Sequence, residues 1–219
     1  MTLPLPTDGP PTPTGVGGPS PSVPGSPSDA AAGVLGDGWV LGDDGLRYRR
    51  AARVLLLDAD DRLLLVRGHD VDQPERSWWF TVGGGIDPGE SAPDAALREV
   101  REETGLVLDP GALVGPVLTR TGIFDFYAQR CRQDEEFFLA RVDHALDTDA
   151  VDRVGWTALE QDVLDELRWW DLAELDVEGE TREVFPEGLA DLVRGLLTGW
   201  DGVVRHLGDQ VDDAGVTGE

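Results

Sequence analysis

The sequence predicts a single domain of the α/β or α+β class, preceded by a disordered tail. Apolar runs of strand length alternate along the chain with stretches that carry helix start and stop residues. The length of 219 residues and the 40% content of hydrophobic residues suffice for one sizeable core. The flanks, in contrast, are poor in the apolar residues that a core needs.

Both ends of the chain are expected to lie outside the domain. Residues 1–36 are mostly Pro, Gly, Ser, Thr and Ala, and nine of the fifteen prolines lie within the first thirty positions. Such a composition cannot bury enough apolar surface to offset chain entropy, so disorder is expected. Residues 208–219, with the sequence GDQVDDAGVTGE, are expected to form a second, acidic tail. The domain would then span residues 37–207.

The first half of this domain contains three strand signals and one helix signal. The runs ARVLLLDAD and DRLLLVRG predict a β-hairpin, and SWWFTVGGG predicts a third strand that runs into the glycines. The segment SAPDAALREVREETG predicts a helix, because Ser91 suits the N-cap and Gly105 the C-terminal stop. Ala96, Leu97 and Val100 form its apolar stripe.

The second half continues the alternation of strands and helices. ALVGPVLTRTGIFDF and EEFFLARV predict two strands, and LRWWDLAEL predicts a short strand followed by a helical turn. PEGLADLVRGLLTG predicts a final amphipathic helix, opened by Pro186 and closed by Gly199. Interleaved elements of this kind pack around one core.

Charge and composition exclude several classes of function. The formal net charge is −25, and all 18 basic residues are arginine, so nucleic acid and anionic membranes are not expected as partners. Without lysine there is no Walker-type loop, and a side-chain cation that grips phosphate must be arginine. The single cysteine, Cys131, excludes an internal disulfide. No membrane-length apolar run or secretory signal is apparent, which predicts a cytoplasmic location.

The stretch VGGGIDPGESAPDAALREVREETGL, from Val82 to Leu106, carries the candidate chemistry. Glu99, Glu102 and Glu103 lie at i, i+3 and i+4, so their carboxylates share one helix stripe. On a solvated face such neighbours cost only a few tenths of a kcal/mol, so energy alone does not exclude a solvated face. On a half-buried face each pair costs roughly 3 kcal/mol, which favours a counter-ion such as Mg²⁺, Mn²⁺ or Ca²⁺.

The residues beside the glutamates are expected to hold them in place. Glu90 lies eight positions before Arg98, and a Glu90–Arg98 ion pair would tie the loop to the helix. Glycines let the backbone turn tightly and approach a ligand closely, so Gly84 and Gly85 are candidates for binding substrate. A backbone carbonyl in this loop is a candidate for an additional metal ligand.

The spacing of these residues resembles the Nudix box without a mismatch. The matching positions are Gly84, Glu90, Arg98, Glu99, Val100, Glu102, Glu103, Gly105 and Leu106. The resemblance covers roughly residues 38–200. One departure is Val82, where many members of the family have proline before the glycine pair. This departure is expected to alter loop rigidity rather than chemistry.

The resemblance implies an α/β/α sandwich with a mixed sheet. It also implies hydrolysis of a nucleoside diphosphate linked to another moiety, giving a nucleoside monophosphate and a phosphorylated product, with Mg²⁺ or Mn²⁺ as cofactor. Glu99 and Glu103 would be the principal metal ligands, Glu102 a further ligand or base, and the carbonyl of Gly83 an added ligand. Family members are often dimers, so a homodimer is an open alternative to a monomer.

Several roles remain open at the level of sequence. The general base is Glu102 within the box, or Glu135 or Glu136 from the run DEEFFLAR. Arg67, which follows the run LLLV, is a candidate for binding phosphate, and its alternative is a surface arginine. Five aromatic residues are candidates for stacking on a base, with a place in the core as the alternative. These are Trp78, Trp79, Phe124, Phe126 and Tyr127.

Two other functions compete with hydrolysis. The alternative to a hydrolase is a non-enzymatic, nucleotide-sensing regulator, although the chain retains all three box glutamates. An isoprenoid diphosphate isomerase would need a catalytic cysteine, for which Cys131 is the sole candidate. The moiety attached to the diphosphate is left open. The net charge disfavours capped or triphosphorylated RNA, although a local potential can differ from that of the whole chain.

Overall fold

The computed structural model describes residue 35 and residues 38–71, 73–126, 129–151, 158–179 and 182–212. Its strands are β1 (Val40–Leu41), β2 (Arg47–Leu57), β3 (Leu63–His69), β4 (Ser77–Gly85), β5 (Val114–Phe126), β6 (Gln129–Arg141), β7 (Leu164–Trp170), β8 (Glu183–Phe185) and β9 (Arg205–Asp212). Its α-helices are α1 (Ala92–Thr104), α2 (Ala158–Val163), α3 (Leu172–Gly179) and α4 (Leu189–Arg194). Short 3₁₀ turns cover Pro110–Ala112 and Thr148–Ala150. Tyr127 lies outside the described residues, as do residues 1–34.

The strands of the described residues form one mixed sheet. Their order is β7-β3-β4-β2-β6-β5-β9, with β1 paired to β2 and β8 paired to β4. The central pair, β2 and β6, runs parallel over the full length of β2. The pairs β3–β4, β2–β4 and β5–β6 are antiparallel.

Apolar layers cover both faces of this sheet. Along β2, Val54 and Leu56 belong to the cluster under α1, whereas Leu55 and Leu57 belong to the cluster under α3 and α4. This alternation follows from the period of two residues in a strand. Burying a side chain of this size stabilises the fold by about 1.5–3 kcal/mol. The arrangement confirms the predicted α/β/α sandwich with a mixed sheet.

Helix α1 begins and ends close to where its sequence predicts. The hydroxyl of Ser91 accepts a hydrogen bond from the N–H of Asp94. Gly105 adopts a left-handed conformation and donates its N–H to the carbonyl of Arg101. The buried side of the helix carries Ala95 and Val100, which pack on the sheet. This packing fixes the rotation of α1 about its own axis, so the glutamates of the helix face a defined part of the sheet.

The prediction that the runs ARVLLLDAD and DRLLLVRG form a hairpin is wrong over most of their length. β2 and β3 pair only at Leu57 and Leu63, and beyond this point β4 lies between them. From Val54 to Leu57, β2 is apolar on both faces, which is typical of a central strand, and β2 takes β4 and β6 as neighbours. The final helix is also shorter than predicted. Only Leu189–Arg194 is α-helical, flanked by Gly188 and Gly195, and hydrogen-bonded turns continue to Gly199.

The boundaries of the domain differ from the predicted ones. β9 pairs with β5 as far as Asp212, so residues 208–212 belong to the sheet rather than to a tail. Gly208 lies inside this strand with a positive φ, and acidic residues interrupt its apolar pattern, which hides the strand signal. At the other end, Leu35 is buried against Trp39 and Cys131.

None of the helices in the described ranges is long and apolar enough to cross a membrane.

The position of β9 predicts that two nearby truncations differ in stability. A chain that ends at Leu207 loses the pairing of Asp209, Gln210 and Val211 with β5, whereas a chain that ends at Asp212 keeps it. At about 1 kcal/mol for each lost backbone hydrogen bond, we expect the shorter chain to melt about 5–10 °C lower. Thermal unfolding followed by circular dichroism measures this difference. Equal melting temperatures would show that β9 contributes nothing to the sheet.

Candidate active site

The guanidinium of Arg98 is the centre of the candidate site. Its Nε and Nη2 donate to the two carboxylate oxygens of Glu90, at 3.0 and 2.9 Å. Its Nη1 donates to Glu99 at 2.8 Å and to Glu102 at 3.1 Å. Nη2 also donates to the carbonyl of Gly85 at 2.8 Å. The predicted Glu90–Arg98 pair is therefore present, and one arginine joins the loop, the helix and the glycine strand.

These contacts shift the pKa values of both partners of the ion pair. The hydrogen bonds from Arg98 lower the pKa of Glu90, and this effect outweighs the partial burial of the carboxylate. Hydrogen bonds to Glu90 and the charge of Glu99 raise the pKa of Arg98 above its ordinary value. Both groups are therefore charged over the whole physiological range, and the loop stays tied to α1.

Two of the three glutamates are buried against the glycine strand. Glu103 is 2% exposed and accepts the N–H of Gly83 at 2.9 Å. Glu99 is 5% exposed and lies directly on Gly84, where a Cβ atom would stand 2.6 Å from its Oε1. A side chain at position 84 would thus occupy the space of the carboxylate. Glu102 has a side chain that is 32% exposed, so it is the glutamate that solvent reaches most easily.

Gly83 has a conformation that other residues adopt with strain. Its φ is +131°, and a Cβ atom there would lie 2.2 Å from the carbonyl oxygen of Ala52. Its own carbonyl accepts a hydrogen bond from Nη1 of Arg53. The backbone of Gly83 is therefore held on both sides. Its N–H donates to Glu103 of α1, and its carbonyl accepts from Arg53 of β2.

A second charged cluster lies on β2, β5 and β6, on the face of the sheet opposite α1. Glu135 is 3% exposed and bonds Arg53 at 3.1 Å, Arg120 at 2.7 Å and the amide of Gln133 at 2.6 Å. Burial alone would raise the pKa of Glu135, but Arg120 and Arg53 together outweigh it and lower this pKa. Because both of its oxygens accept from charged donors, Glu135 is poorly suited to accept a proton from water.

The neighbouring candidate base, Glu136, points to the face that carries α1. It lies beside Ala52 in the sheet, and Ala52 pairs on its other side with Gly84. Its side chain is 30% exposed and contacts Arg50 at 2.6 Å. Glu136 therefore shares a face with Glu99, and both Glu136 and Glu102 remain accessible. The choice between them stays a prediction.

The structure does not bring Arg67 to the carboxylates. Arg67 pairs across the sheet with Trp79, which lies four residues, or about 13 Å of strand, from Gly83. Its guanidinium contacts Asp165 at 3.4 Å and Glu166 at 3.2 Å. Within the described ranges, Arg53 and Arg98 donate hydrogen bonds to backbone carbonyls of the glycine strand. Arg53 was missed because its partners, Gly83 and Glu135, are distant in sequence.

Of the candidate stacking residues that the structure describes, Trp79 is buried, and Trp78, Phe124 and Phe126 are half-buried. Trp79 is buried and packs edge to face on Trp170, with ring centroids 5.0 Å apart, so it belongs to the core. Phe124 packs edge to face on Trp39 at 6.2 Å. Trp78 lies beneath the guanidinium of Arg76, which is 5.4 Å from its ring. Phe126 packs against the small cluster of Leu35, Trp39 and Cys131.

With the side chains as they lie, the described residues contain no group of three acidic, histidine or cysteine side chains arranged to hold a metal ion. The reason is visible in the contacts. Glu99 and Glu102 turn to Arg98, and Glu103 turns to the N–H of Gly83. The carboxylates nevertheless supply hard oxygen donors on one stripe of α1, and the lack of a side chain at Gly84 lets the carboxylate of Glu99 lie against the strand.

Comparisons with known proteins agree with this geometry. The model of the NUDIX domain matches residues 47–189. The uncharacterized Nudix hydrolase YvcI of Bacillus subtilis (strain 168) is 35% identical over 81 residues, which are 37% of this chain and 44% of that protein. An RNA pyrophosphohydrolase of Sphingopyxis alaskensis is 35% identical over 103 residues, covering 47% and 53% of the two chains. The chain thus spans about half the length of the curated relatives it matches.

Similar solved structures have lower sequence identity. The E. coli dihydroneopterin triphosphate pyrophosphohydrolase is 18% identical, with a TM-score of 0.49 over 69% of this chain and 97% of that one. The fold and the site together define an α/β/α sandwich in which one arginine braces a helix of glutamates against a glycine strand. The chain belongs to the NUDIX family.

Cys131 is placed where it cannot act as a nucleophile. It is fully buried in the small cluster with Leu35 and Trp39. Burial raises the pKa of its thiol to about 11, and the charges of Arg49 and Arg47 offset this only in part. The reactive form of cysteine is the thiolate. The isomerase hypothesis, which needs a reactive cysteine, therefore loses its only candidate.

This burial predicts that the thiol resists alkylation in the folded protein. Because the pKa of the thiol is about 11, only on the order of one thousandth of Cys131 is present as thiolate at pH 8. We expect iodoacetamide to label Cys131 at least about 100-fold more slowly in the native protein than in guanidinium chloride. Intact-mass spectrometry over time measures both rates. Rapid native labelling at pH 8 would contradict the buried position.

Proposed function

We propose that the protein is a metal-dependent hydrolase that cleaves a diphosphate linkage in a nucleoside diphosphate derivative. The products would be a nucleoside monophosphate and the phosphorylated remainder. The observation that carries this proposal is the arrangement around Arg98, which gathers Glu90, Glu99 and Glu102 and bonds Gly85 at the same time. A brace of this kind holds several carboxylates together beside the glycine strand.

We propose that Glu99, Glu103 and Glu102 hold Mg²⁺ or Mn²⁺, with the carbonyl of Gly83 as an added ligand. Their donor chemistry fits a hard cation, because all are oxygens and two of the carboxylates are buried. A cation held by these residues would supply charge neutralisation at the diphosphate and would make water at the site easier to deprotonate.

The residues of the chain have distinct proposed roles. Arg98 is a positioning residue, since it orients Glu99 and Glu102 from one side and is itself held by Glu90. Glu102 or Glu136 takes the proton of the attacking water, because these two carboxylates are partly exposed on the face that carries α1. The buried Glu135 instead keeps Arg53 and Arg120 in place.

The names of the relatives support the reaction class. One is a putative 8-oxo-dGTP diphosphatase of Bacillus subtilis, 41% identical over 68 residues, and several are RNA pyrophosphohydrolases. Each of these names denotes an enzyme that cleaves a phosphoric anhydride attached to a nucleotide or to RNA. A small nucleotide derivative fits this chain better than RNA, because the net charge of −25 opposes a long polyanion. A cytoplasmic location and a homodimer stay predictions.

A substrate panel tests the proposal. The purified full chain is incubated with nucleoside triphosphates, nucleotide sugars, dinucleoside polyphosphates and 5′-triphosphorylated RNA, in Mg²⁺, Mn²⁺ or EDTA. We expect release of a nucleoside monophosphate in the presence of metal and none in EDTA. Glu103→Gln retains an acceptor for the Gly83 N–H but removes the charge, so its kcat should fall at least about 100-fold. Chromatography of the products measures both results.

Glu75→Gln is the matched control, because Glu75 is exposed in the loop between β3 and β4. It should keep the activity of the wild-type chain. Turnover that survives in EDTA, or full activity of Glu103→Gln, would contradict a metal-dependent mechanism. Tight nucleotide binding in calorimetry without any product would instead favour the non-enzymatic, nucleotide-sensing alternative.

A further inference from the structure

Strand β4 changes its neighbour next to the glycines. It pairs with β3 as far as Thr81 and with β2 from Val82 onward. Arg53 of β2 lies opposite Gly83 in this second register. Its Nη1 donates to the carbonyl of Thr81 at 3.3 Å and to the carbonyl of Gly83. One guanidinium therefore bonds the backbone on both sides of the point where β4 changes its neighbour.

Glu135 holds the other end of this guanidinium. The Nε of Arg53 donates to Oε1 of Glu135 at 3.1 Å, and the Nε of Arg120 donates to Oε2 at 2.7 Å. Gln133 donates to Oε1 at 2.6 Å. Because both oxygens of this buried carboxylate accept hydrogen bonds, Glu135 has one orientation, and it fixes the plane of the Arg53 guanidinium.

The two ends of Arg53 place different demands on the side chain. Any cation could satisfy the carboxylate of Glu135. Bonding two backbone carbonyls at the same time requires several donors at fixed separations, which a planar guanidinium has and a single ammonium lacks. The Arg53 side chain is only 11% exposed, so water replaces these bonds poorly. The use of arginine at this position is therefore explained by the carbonyls and not by Glu135 alone.

The carbonyl of Gly83 lies next to the candidate metal ligands. The N–H of the same residue donates to Glu103 at 2.9 Å, and the carboxylate of Glu99 lies against the following residue, Gly84. Glycine has no side chain to restrict its backbone, so the orientation of this carbonyl depends on its hydrogen bonds. A carbonyl oxygen has two lone pairs, and the bond from Arg53 leaves one for a cation.

We propose that Arg53 is a positioning residue for the metal site, which holds the carbonyl of Gly83 as a metal ligand while Glu135 holds Arg53. The inference rests on the proposed function, which assigns the metal to this carbonyl and to the glutamates of α1. Residues that orient metal ligands typically change metal affinity by about 10- to 100-fold when they are replaced. The charge of Glu135 offsets the repulsion between the Arg53 guanidinium and the cation.

The first test measures metal binding without substrate. The full chain and Arg53→Lys are titrated with Mn²⁺, and electron paramagnetic resonance measures the free ion. Lysine keeps the charge, but its single ammonium cannot bond Glu135 and both carbonyls together, so the Kd for Mn²⁺ should rise about tenfold. Because the charge is the same in both proteins, the comparison reports the positioning of the carbonyl rather than electrostatic repulsion.

Arg120→Lys is the matched control. Arg120 bonds the same oxygen pair of Glu135 from β5, and its Nη1 donates to Gln210 of β9 rather than to β4. Both lysine variants weaken the same buried cluster, so circular dichroism should show similar losses of melting temperature. Arg120→Lys should nevertheless change the Kd for Mn²⁺ by less than about twofold, because it leaves Arg53 on the carbonyl of Gly83.

The second test uses the best substrate of the panel over a range of Mg²⁺ concentrations. Arg53→Lys should raise the Mg²⁺ concentration for half-maximal rate by about tenfold and change kcat at saturating Mg²⁺ by less than about threefold. If Arg53→Lys does not fold, Glu135→Gln carries the test, because it leaves Arg53 in the chain and removes the charge that orients it. Its Kd for Mn²⁺ should rise by at least about threefold.

The outcomes distinguish this inference from the proposed function. If Mn²⁺ binding depends on Arg53 but not on Arg120, and no substrate turns over, the positioning role stands and the hydrolase proposal fails. If the chain hydrolyses a substrate while Arg53→Lys binds Mn²⁺ at least as tightly as the wild type, the role of Arg53 is overturned. Equal losses of affinity in Arg53→Lys and Arg120→Lys, or no binding of millimolar Mn²⁺ by the wild-type chain, would also overturn it.

Discussion

The candidate site depends on how one arginine is shared among three carboxylates and a backbone carbonyl. Three glutamates on one helix face repel one another, and two of them lie in the interior, where repulsion is poorly screened. Arg98 compensates for this by contacting two of them, Glu99 and Glu102, while Glu90 holds Arg98 in place. Arg98 also donates a hydrogen bond to the carbonyl of Gly85 on β4. The side chain that offsets the negative charges of α1 therefore also sets the distance between α1 and β4.

Charge is separated between the two faces of the sheet. The face that carries α1 presents Glu99, Glu103 and Glu136, whereas the opposite face presents a cluster of arginines around Glu135. The glycines of β4 lie between these two sets, and they let both approach the same stretch of backbone. A protein with a large negative net charge therefore has a local region of positive charge, which the total alone conceals.

The predictable part of the structure is the part encoded by local spacing. The helix caps, the stripe of glutamates and the Glu90–Arg98 pair all lie within a few turns of one another in sequence, and all are present. The insertion of β4 between β2 and β3 is non-local, and so is the contact of Arg53 with Glu135, 82 positions apart. The pairing of β5 with β6 places Arg120 opposite Glu135. Knowledge of this register would have identified the cluster of Arg53, Arg120 and Glu135.

The bond between Glu103 and the Gly83 amide has a consequence for hydrogen exchange. This amide is closed to solvent unless α1 separates from the sheet, and α1 is anchored there by Ala95, Ala96 and Val100. The glycine strand should therefore exchange with the slowest amides of the core. The order of this strand's backbone is established when the chain folds, so ligand binding spends no free energy on ordering it, and only the carboxylate side chains have to turn.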